Sequence, residues 1–326
     1  MSHITDLAAA QQANLLTSPS GVKYSNNSNM PLELAILCMY YAENGYSGNP
    51  PREGKLSVTA LIGPLRKAIY SILYPIKEDI KDVSTLIASS KGTAMHEALT
   101  KALEWYGDYT CELRNDIVIN GWKISGEYDV KDKSSMIKDL KFVSNYNYKK
   151  LVEEREAMQP GLSIEEMLQQ FPTYTKFQLQ LSIYRILELP NDEFVKSIGS
   201  ILMMLNNGGD FGKYPTESEH TFPLYQEAEL TEFIHNRVEQ IKQHLADGTL
   251  PLCSDTERGK SEGEYKLERM GPSGKFATVR GSKCTSMGEL QNFIRLKGKP
   301  GDRVIEKPPE YKLCNYCSHN QICDQV

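Results

Sequence analysis

The chain has 326 residues, of which 40% are hydrophobic and 24% charged, the ordinary balance of a globular protein with a large apolar core. Its net charge of −5 argues against a broadly basic surface that coats nucleic acid, while allowing local positive charge. No apolar run is long enough to cross a bilayer, and the first residues lack a basic region followed by an apolar one. We therefore expect a cytoplasmic protein with no membrane partner.

The N-terminal part is predicted to be a polar and helical extension. Residues 1–30 are rich in Ser and Asn, which predicts a segment poorly ordered at its start. Residues 31–44 have helical spacing of apolar residues, with Pro31 at a favourable first position. Residues 45–54 contain the Gly and Pro of a loop. Residues 57–73 then predict a single amphipathic helix, whose apolar face comprises Leu61, Leu65, Ile69 and Ile72.

A helix and a first strand are predicted next. Residues 92–106 have the apolar spacing of a helix, with His96 near its start. Residues 110–119 alternate in polarity as a strand does, and Asn120-Gly121 is typical of the tight turn into a following strand.

The centre of the chain, residues 126–141, reads GEYDVKDKSSMIKDLK and predicts a β-hairpin. Residues 122–130 and 136–143 form its predicted strands, and the polar residues 131–135 form the turn. Six lysines concentrate around this hairpin and indicate local positive charge: Lys131, Lys133, Lys138, Lys141, Lys149 and Lys150.

Two carboxylates and an ammonium are expected to meet on this hairpin. Side chains alternate along a strand, so Asp139 and Lys141 point to one side, and the hairpin can bring Asp129 close to them. Neighbouring carboxylates repel unless a cation lies between them, and hard oxygen ligands suit Mg²⁺ or Mn²⁺. A solvated hairpin with ordinary surface charges is the competing interpretation.

The remainder of the core is predicted to be mainly helical. Residues 148–169 indicate helix with an interruption at Pro160-Gly161, and residues 173–187 and 230–245 predict two further helices. Residues 198–205 form an apolar run consistent with a buried strand. This order of elements predicts an α/β fold.

From residue 248 onward the chain is richer in Gly, Pro and Lys, with short strand-like pieces such as residues 275–280. We therefore predict three regions: an N-terminal extension (1–55), an α/β core (56–247) and a C-terminal region (248–326) that packs on the core.

Seven cysteines without a secretion signal make a disulfide framework unexpected. Three of them lie close together near the C-terminus as Cys314-x2-Cys317-x5-Cys323, and this spacing indicates a metal site. Zinc and iron–sulfur sites are typically four-coordinate, so a fourth ligand is required.

Four motifs follow one another along the chain: Gly92-Thr93-x-x-His96-Glu97, Gly126-x-x-Asp129, Asp139-x-Lys141 and Gln180-x-x-x-Tyr184. In this order they resemble the RecB-like exonuclease branch of the PD-(D/E)XK nuclease superfamily, especially its phage-encoded and CRISPR-associated members. The resemblance runs from about residue 57 to the C-terminus. It implies a restriction-endonuclease-like core over residues 56–247, with a central mixed β-sheet flanked by helices.

The resemblance also implies roles for individual residues. His96, Asp129 and Asp139 are the expected metal ligands, together with the backbone carbonyl of Leu140. Lys141 is expected to orient the attacking water and to steady charge on the phosphate. Gln180 and Tyr184 are expected to support the site and contact DNA from one helix face. Glu97 and Glu104 are lesser candidates, and Phe142 departs from the Thr or Ser usual after the lysine.

For the cysteine site, the family implies a 4Fe–4S cluster, with Zn²⁺ as the alternative. The CRISPR-associated relatives supply the fourth ligand from an upstream cysteine, where this chain has Gly63-Pro64. The segment around Cys253 resembles the one that supplies it in phage-encoded relatives. The expected set is therefore Cys253, Cys314, Cys317 and Cys323, with Cys284 and His319 in reserve.

The function implied is a metal-dependent DNA exonuclease acting in phage DNA recombination, repair or processing, in the host cytoplasm if the chain is phage-encoded. DNA is the expected partner, with a helicase or recombinase as a further candidate. Two alternatives stay open: a non-catalytic DNA-binding or assembly subunit that keeps the nuclease fold, and a structure-specific or restriction-type endonuclease.

Overall fold

The computed structural model describes residues 15–45, 51–75, 80–206 and 213–325. The chain divides into two compact units, Met1–Leu250 and Pro251–Val326. Within the described ranges, no helix is both long and apolar enough to span a membrane. The predicted disorder at the start of the chain lies outside the described residues, as do positions 46–50 of the predicted loop.

The first unit combines helices with mixed β-sheet, as predicted. Its described strands are β1 (Leu15–Thr17), β2 (Lys23–Ser25), β3 (Lys55–Ser57), β4 (Lys81–Asp82), β5 (Tyr109–Ile119), β6 (Trp122–Asp132), β7 (Ile137–Val143), β8 (Ile198–Leu205) and β9 (Glu217–Pro223). Its described helices are α1 (Leu32–Asn44), α2 (Val58–Ile62), α3 (Leu65–Leu73), α4 (Val83–Tyr106), α5 (Asn145–Ala157), α6 (Ile164–Gln170), α7 (Pro172–Glu188) and α8 (Glu227–Asp247).

The central sheet has the strand order β3-β6-β7-β8-β9, with β5 also paired to β6. The β7–β8 pair is parallel and is connected through α5, α6 and α7, whereas β5–β6, β6–β7 and β8–β9 are antiparallel. Helix α7 packs against β5, β6, β7 and β8, and α4 packs against β5, β6 and β7. The expected central mixed sheet flanked by helices is therefore present.

The turn between β5 and β6 confirms the prediction from Asn120-Gly121. Both residues have positive φ, 49° and 74°, as a type I′ hairpin turn requires. The turn sets Ile119 opposite Trp122 and aligns the two strands along their whole length.

Strand β6 has an interrupted edge. Strand β5 pairs with one edge at every position of β6 except Asp129, so β3 and β7 share the other. There β3 pairs with Lys123–Ser125 and β7 pairs only with Val130 and Lys131. Residues 126–129, the Gly-Glu-Tyr-Asp tetrad, lie in the gap between these two partners.

Helix α4 begins at Val83, nine residues before the predicted start, because Asp82 caps it. The Asp82 carboxylate accepts a hydrogen bond from the Ser84 N–H at 3.0 Å, which satisfies one of the free N–H groups of the first turn. The prediction that His96 lies near the start of its helix is wrong, since it lies past the middle.

The single helix predicted over residues 57–73 is also wrong. It divides into α2 and α3 at Gly63-Pro64, because proline has no N–H to continue the helical hydrogen bonds. Arg237 of α8 stabilises the break by donating to the carbonyl of Leu61 at 3.3 Å and to the carbonyl of Gly63.

The other predicted elements of the core are confirmed with small shifts of their ends. The predicted helical stretch 148–169 is interrupted where expected and forms α5 and α6. The predicted segments 173–187, 198–205 and 230–245 correspond to α7, β8 and α8.

A small separate core holds the N-terminal elements together. Strands β1, β2 and β4 form a three-stranded sheet, and α1 packs against α4. The buried side chains between them form a cluster distinct from the main core: Leu16, Tyr24, Ala35, Cys38, Met39 and Val83. The sequence pattern predicted α1 in this region but not the sheet.

The second unit contains an antiparallel sheet of β10 (Glu264–Met270), β11 (Phe276–Thr278) and β12 (Arg303–Lys307), in the order β11-β10-β12. It also contains α9 (Asp255–Arg258) and α10 (Met287–Lys297). The strand-like piece predicted at 275–280 is β11. Helix α10, capped by Ser286, was not predicted.

We predict that Asp82→Ala lowers the free energy of unfolding by about 1 kcal/mol, the usual effect of losing a helix N-cap. Partial burial raises the pKa of Asp82, but hydrogen bonds from Ser84, Asn27 and Ser25 outweigh burial and lower it to about 2. The charge therefore stabilises the fold above pH ~4 and loses this effect as the pH falls through about 2. Urea unfolding at several pH values measures both effects.

The matched control for this prediction is Asp116→Ala, which removes an exposed ion pair with Lys123 at 3.0 Å. It is expected to change the free energy of unfolding by less than about 0.5 kcal/mol. Equal losses in the two variants would contradict the capping role of Asp82.

We predict that Gly126→Ala destabilises the first unit by about 1–3 kcal/mol through overpacking. A β-carbon at this position would lie 2.6 Å from Val58 Cγ2, 2.8 Å from Tyr184 Cε1 and 3.0 Å from Leu187 Cδ1. The control is Gly92→Ala in α4, where a β-carbon meets nothing within 4 Å. Since alanine favours helix over glycine, this control should stabilise by up to about 1 kcal/mol. Thermal unfolding of both variants tests the contrast.

Candidate active site

Asp129 closes the gap in the edge of β6. Its Oδ2 accepts a hydrogen bond from the backbone N–H of Leu140 on β7 at 2.6 Å, beyond the point where backbone pairing stops. Its Oδ1 lies 3.4 Å from Nδ1 of His96 on α4. The carboxylate thus joins two strands and a helix, and the hairpin brings Asp129 to the Asp139 side as predicted.

Asp139 is buried, with 1% of its surface exposed. Its Oδ2 lies 2.6 Å from the ammonium Nζ of Lys141, and its Oδ1 accepts a hydrogen bond from Gln180 Nε2 at 3.0 Å. Gln180 also donates to the hydroxyl of Tyr184 at 2.9 Å. The predicted Gln-x-x-x-Tyr pair therefore lies on one face of α7, and its Gln180 contacts the buried carboxylate directly.

The electrostatics of the site favour added positive charge. Burial, with a contribution from the charge of Asp129, raises the pKa of Asp139 to about 6 despite the opposing ammonium of Lys141. Burial lowers the pKa of His96, but its hydrogen bond with Asp129 and the charges of Asp129 and Asp139 raise the pKa above its ordinary value. The buried Asp139 carboxylate is therefore only partly compensated by Lys141.

These residues open into a cavity of about 680 Å³. His96, Asp129, Asp139, Lys141, Gln180 and Tyr184 all line it, so the structure brings the six predicted side chains together. Glu97, ranked below His96 from the sequence, also lines the cavity, whereas Glu104 is exposed and is not among the lining residues.

Sequence reasoning missed two acidic residues of the lining, Glu112 and Glu127. Glu127 lies two positions before Asp129 on the same strand, so alternation along β6 was a signal that could have identified it. Glu112 has no such signal. It has a positive φ of 50° and faces Asp129 at a point where the β5–β6 pairing is interrupted without a change of register.

The cavity lining carries negative charge that its basic residues do not balance. Glu97 pairs with Lys101, Glu127 pairs with Arg114 at 2.9 Å, and Asp139 pairs with Lys141. Within the described part of the chain, Glu112 and Asp129 have no lysine or arginine at ion-pair distance. Thr100 and His96 are their respective side-chain neighbours.

The prediction of local positive charge around the hairpin is wrong. Five of the six lysines lie within 4 Å of carboxylates, so their charges are already compensated. The pairs are Lys131 with Glu188 (2.7 Å) and Asp192 (2.9 Å), Lys138 with Glu219 (3.1 Å), Lys141 with Asp139 (2.6 Å), Lys149 with Glu153 (3.2 Å) and Lys150 with Glu154 (3.7 Å).

In the second unit, Cys253 lies beside the end of the chain. Its N–H donates to Gln325 Oε1 at 2.8 Å, and Gln325 Nε2 donates back to its carbonyl at 3.3 Å. Cys314 begins a short 3₁₀ turn, and the N–H of Cys317 donates to its carbonyl. The backbone of Cys284 instead forms an isolated antiparallel β-bridge with Tyr265 of β10. The Cys284 thiol donates a hydrogen bond to the Ser282 carbonyl.

Across the residues that the structure describes, no three His, Cys, Asp or Glu side chains are grouped closely enough to hold a metal ion. This applies both to the cavity and to the cysteines. In the cavity, Asp129 and Asp139 instead contact His96, Lys141, Gln180 and the Leu140 amide. None of the seven cysteines, all of which lie in the described ranges, forms a disulfide.

Comparison with known proteins gives no family assignment. No protein-family model matches the chain, and no curated protein sequence matches it. The alignment with the crystal structure of SSO0001 covers 65% of this chain and 86% of that protein, with 16% sequence identity and a TM-score of 0.40. The alignment with the crystal structure of a phage-related exonuclease from Haemophilus somnus 129PT covers 60% of this chain and 96% of that protein, with 14% sequence identity and a TM-score of 0.37.

Proposed function

We propose that this protein hydrolyses phosphodiester bonds in DNA with the help of a divalent cation. The observation that carries the proposal is the convergence of Asp129, Asp139 and Lys141 at the interrupted edge of β6, on the wall of a 680 Å³ cavity. A solvated hairpin would leave these side chains in water. Here Asp139 is buried and held by Lys141 and Gln180.

The donor types in the cavity suit Mg²⁺ or Mn²⁺, although the three side chains proposed as ligands are not grouped closely enough in this structure to hold an ion. Asp129 and Asp139 supply hard carboxylate oxygens, each with a lone pair beyond those used in the contacts described. The imidazole of His96 and the backbone carbonyl of Leu140 complete the proposed ligand set. A bound cation would supply a water of lowered pKa and stabilise charge on the phosphate.

The remaining residues act by position and charge. The ammonium of Lys141 lies next to Asp139, so it can orient a water and stabilise the negative charge that develops on a phosphate held there. Gln180 fixes Asp139 and Tyr184 by hydrogen bonds to both, which keeps the acidic side chain in one orientation.

We further propose that the activity is exonucleolytic and serves phage DNA recombination, repair or processing, with a helicase or recombinase as a partner. The support is the order of the four motifs and their resemblance to RecB-like exonucleases. A non-catalytic DNA-binding role and an endonuclease role are the alternatives. Linear and circular DNA distinguish the endonuclease, since an exonuclease needs a free end.

A second proposal concerns Cys253, Cys314, Cys317 and Cys323, which we infer bind a 4Fe–4S cluster or Zn²⁺. The adjacency of Cys253 and Gln325, two residues beyond Cys323, supports Cys253 as the fourth ligand. Thiolate ligands suit either metal centre.

We predict that Lys141→Met lowers the rate of DNA cleavage by at least about 100-fold, the usual effect of removing one transition-state donor. Asp139→Asn should abolish cleavage. The control is Lys138→Met on the same strand, whose side chain points to the other face and pairs with Glu219. The substrates, assayed with Mg²⁺ or Mn²⁺, are end-labelled linear single- and double-stranded DNA and unlabelled circular DNA. Full activity of Asp139→Asn would refute the nuclease proposal.

We predict that Cys253→Ser loses bound metal to the same extent as Cys317→Ser and becomes sensitive to protease beyond residue 250. Metal that ties these thiols together would close a long loop and couple binding to folding. Cys111→Ser, another partly buried thiol, is the control. Elemental analysis for iron and zinc and an assay of acid-labile sulfide distinguish the two centres. Unchanged metal in Cys253→Ser, with loss in Cys284→Ser, would move the fourth ligand to Cys284.

A further inference from the structure

Helix α1 turns an exposed apolar face outward beside the cavity. Ala35, Cys38 and Met39 face the small N-terminal core, whereas Ile36, Leu37 and Tyr40 remain exposed. Tyr40 is 53% exposed. Residues 36 and 40 are four apart, and 37 and 40 are three apart, so these side chains are neighbours on one face. The face leads into the cavity, because Tyr40, Tyr41 and Asn44 form part of its lining.

Tyr40 is held in place while its ring stays accessible. Its ring contacts Tyr41 edge to face, with centroids 5.1 Å apart and an interplanar angle of 80°. The Tyr41 hydroxyl donates to Glu97 on α4 at 3.1 Å. A ring in an edge-to-face pair keeps at least one face free of its partner, so Tyr40 presents an ordered aromatic surface.

The chemistry of this surface fits bases rather than phosphates. Residues 32–44 contain Glu33 and Glu43 and no lysine or arginine, so α1 offers no cation to the nucleic-acid backbone. The flat faces of the bases stack on aromatic side chains, and they are accessible only when the strand is unpaired. A duplex hides these faces within its own base stack.

We propose that Tyr40 and the neighbouring apolar face of α1 stack on the bases of an unpaired DNA strand whose phosphate lies at Asp129, Asp139 and Lys141. This inference rests on the proposed nuclease function and specifies its substrate: a single strand, or a frayed end, contacted through its bases on α1. Tyr41 is a positioning residue that supports the ring of Tyr40.

The test compares Tyr40→Ala, Tyr40→Phe and Tyr74→Ala. Tyr74 is a matched control because it is also 53% exposed, contacts one other tyrosine ring (Tyr70, at 5.7 Å) and is not part of the cavity lining. The substrates are an oligothymidylate, the same strand with abasic sites throughout, and a blunt duplex. Binding is measured by fluorescence anisotropy with Mg²⁺ in an Asp139→Asn background, and cleavage is measured in the active protein.

We expect Tyr40→Ala to weaken oligothymidylate binding about fivefold or more, which corresponds to the loss of one stacked base. Binding of the abasic strand should stay the same, because it has no base to stack. Tyr40→Phe and Tyr74→Ala should stay within about twofold of the parent, because an aromatic ring persists at position 40 in both.

The inference is overturned if Tyr40→Ala binds and cleaves oligothymidylate as the parent does, if it loses the abasic strand equally, or if the parent prefers the blunt duplex. None of these outcomes involves a loss of DNA cleavage by the parent protein, so the nuclease proposal would stand. Absence of cleavage of every DNA by the unsubstituted protein, with or without Mn²⁺, refutes the nuclease function itself.

Discussion

The candidate site depends on one interruption of backbone pairing, on the edge of β6 between its contacts with β3 and β7. There the carboxylate of Asp129 accepts the N–H of Leu140 in place of a backbone carbonyl. The hydrogen bond satisfies a buried donor while leaving the strands without a ladder at this point. The resulting gap is where α4 and α7 bring their polar side chains to the sheet.

The second constraint is the burial of Asp139. A charged carboxylate removed from water is unfavourable unless other groups compensate it, and its raised pKa reflects this cost. One ammonium and one amide offset part of it, but Asp129 adds a like charge nearby. On the proposed function, a divalent cation bound between the two carboxylates would relieve this repulsion.

Helix α7 gives the site its rigidity. Most of its residues are buried, and buried polar side chains on it are held by hydrogen bonds: Thr175 donates to the Phe171 carbonyl, and Ser182 donates to the Gln178 carbonyl. At its end Glu188 pairs with Lys131 of the hairpin. The same helix therefore fixes Asp139 through Gln180 and ties down the turn end of the β6–β7 hairpin.

The sequence by itself determined the elements whose causes are local. Alternation over β5, β6 and β7, the Asn120-Gly121 turn and the apolar spacing of α7 and α8 depend on near neighbours, so the α/β core and the approach of Asp129 to Asp139 and Lys141 could be predicted. His96, Gln180 and Tyr184 were expected only from the order of the four motifs and their resemblance to RecB-like exonucleases. The start of α4 and the break at Gly63-Pro64 were also local, but the helical period of the apolar residues concealed them. Only the tertiary structure brought Tyr40, Glu112 and the lysine–carboxylate pairs into place, because these contacts join residues far apart in the chain. Local pattern carries no information on which distant charges compensate each other. For that reason the sequence predicted a basic patch where the structure pairs the lysines with distant carboxylates.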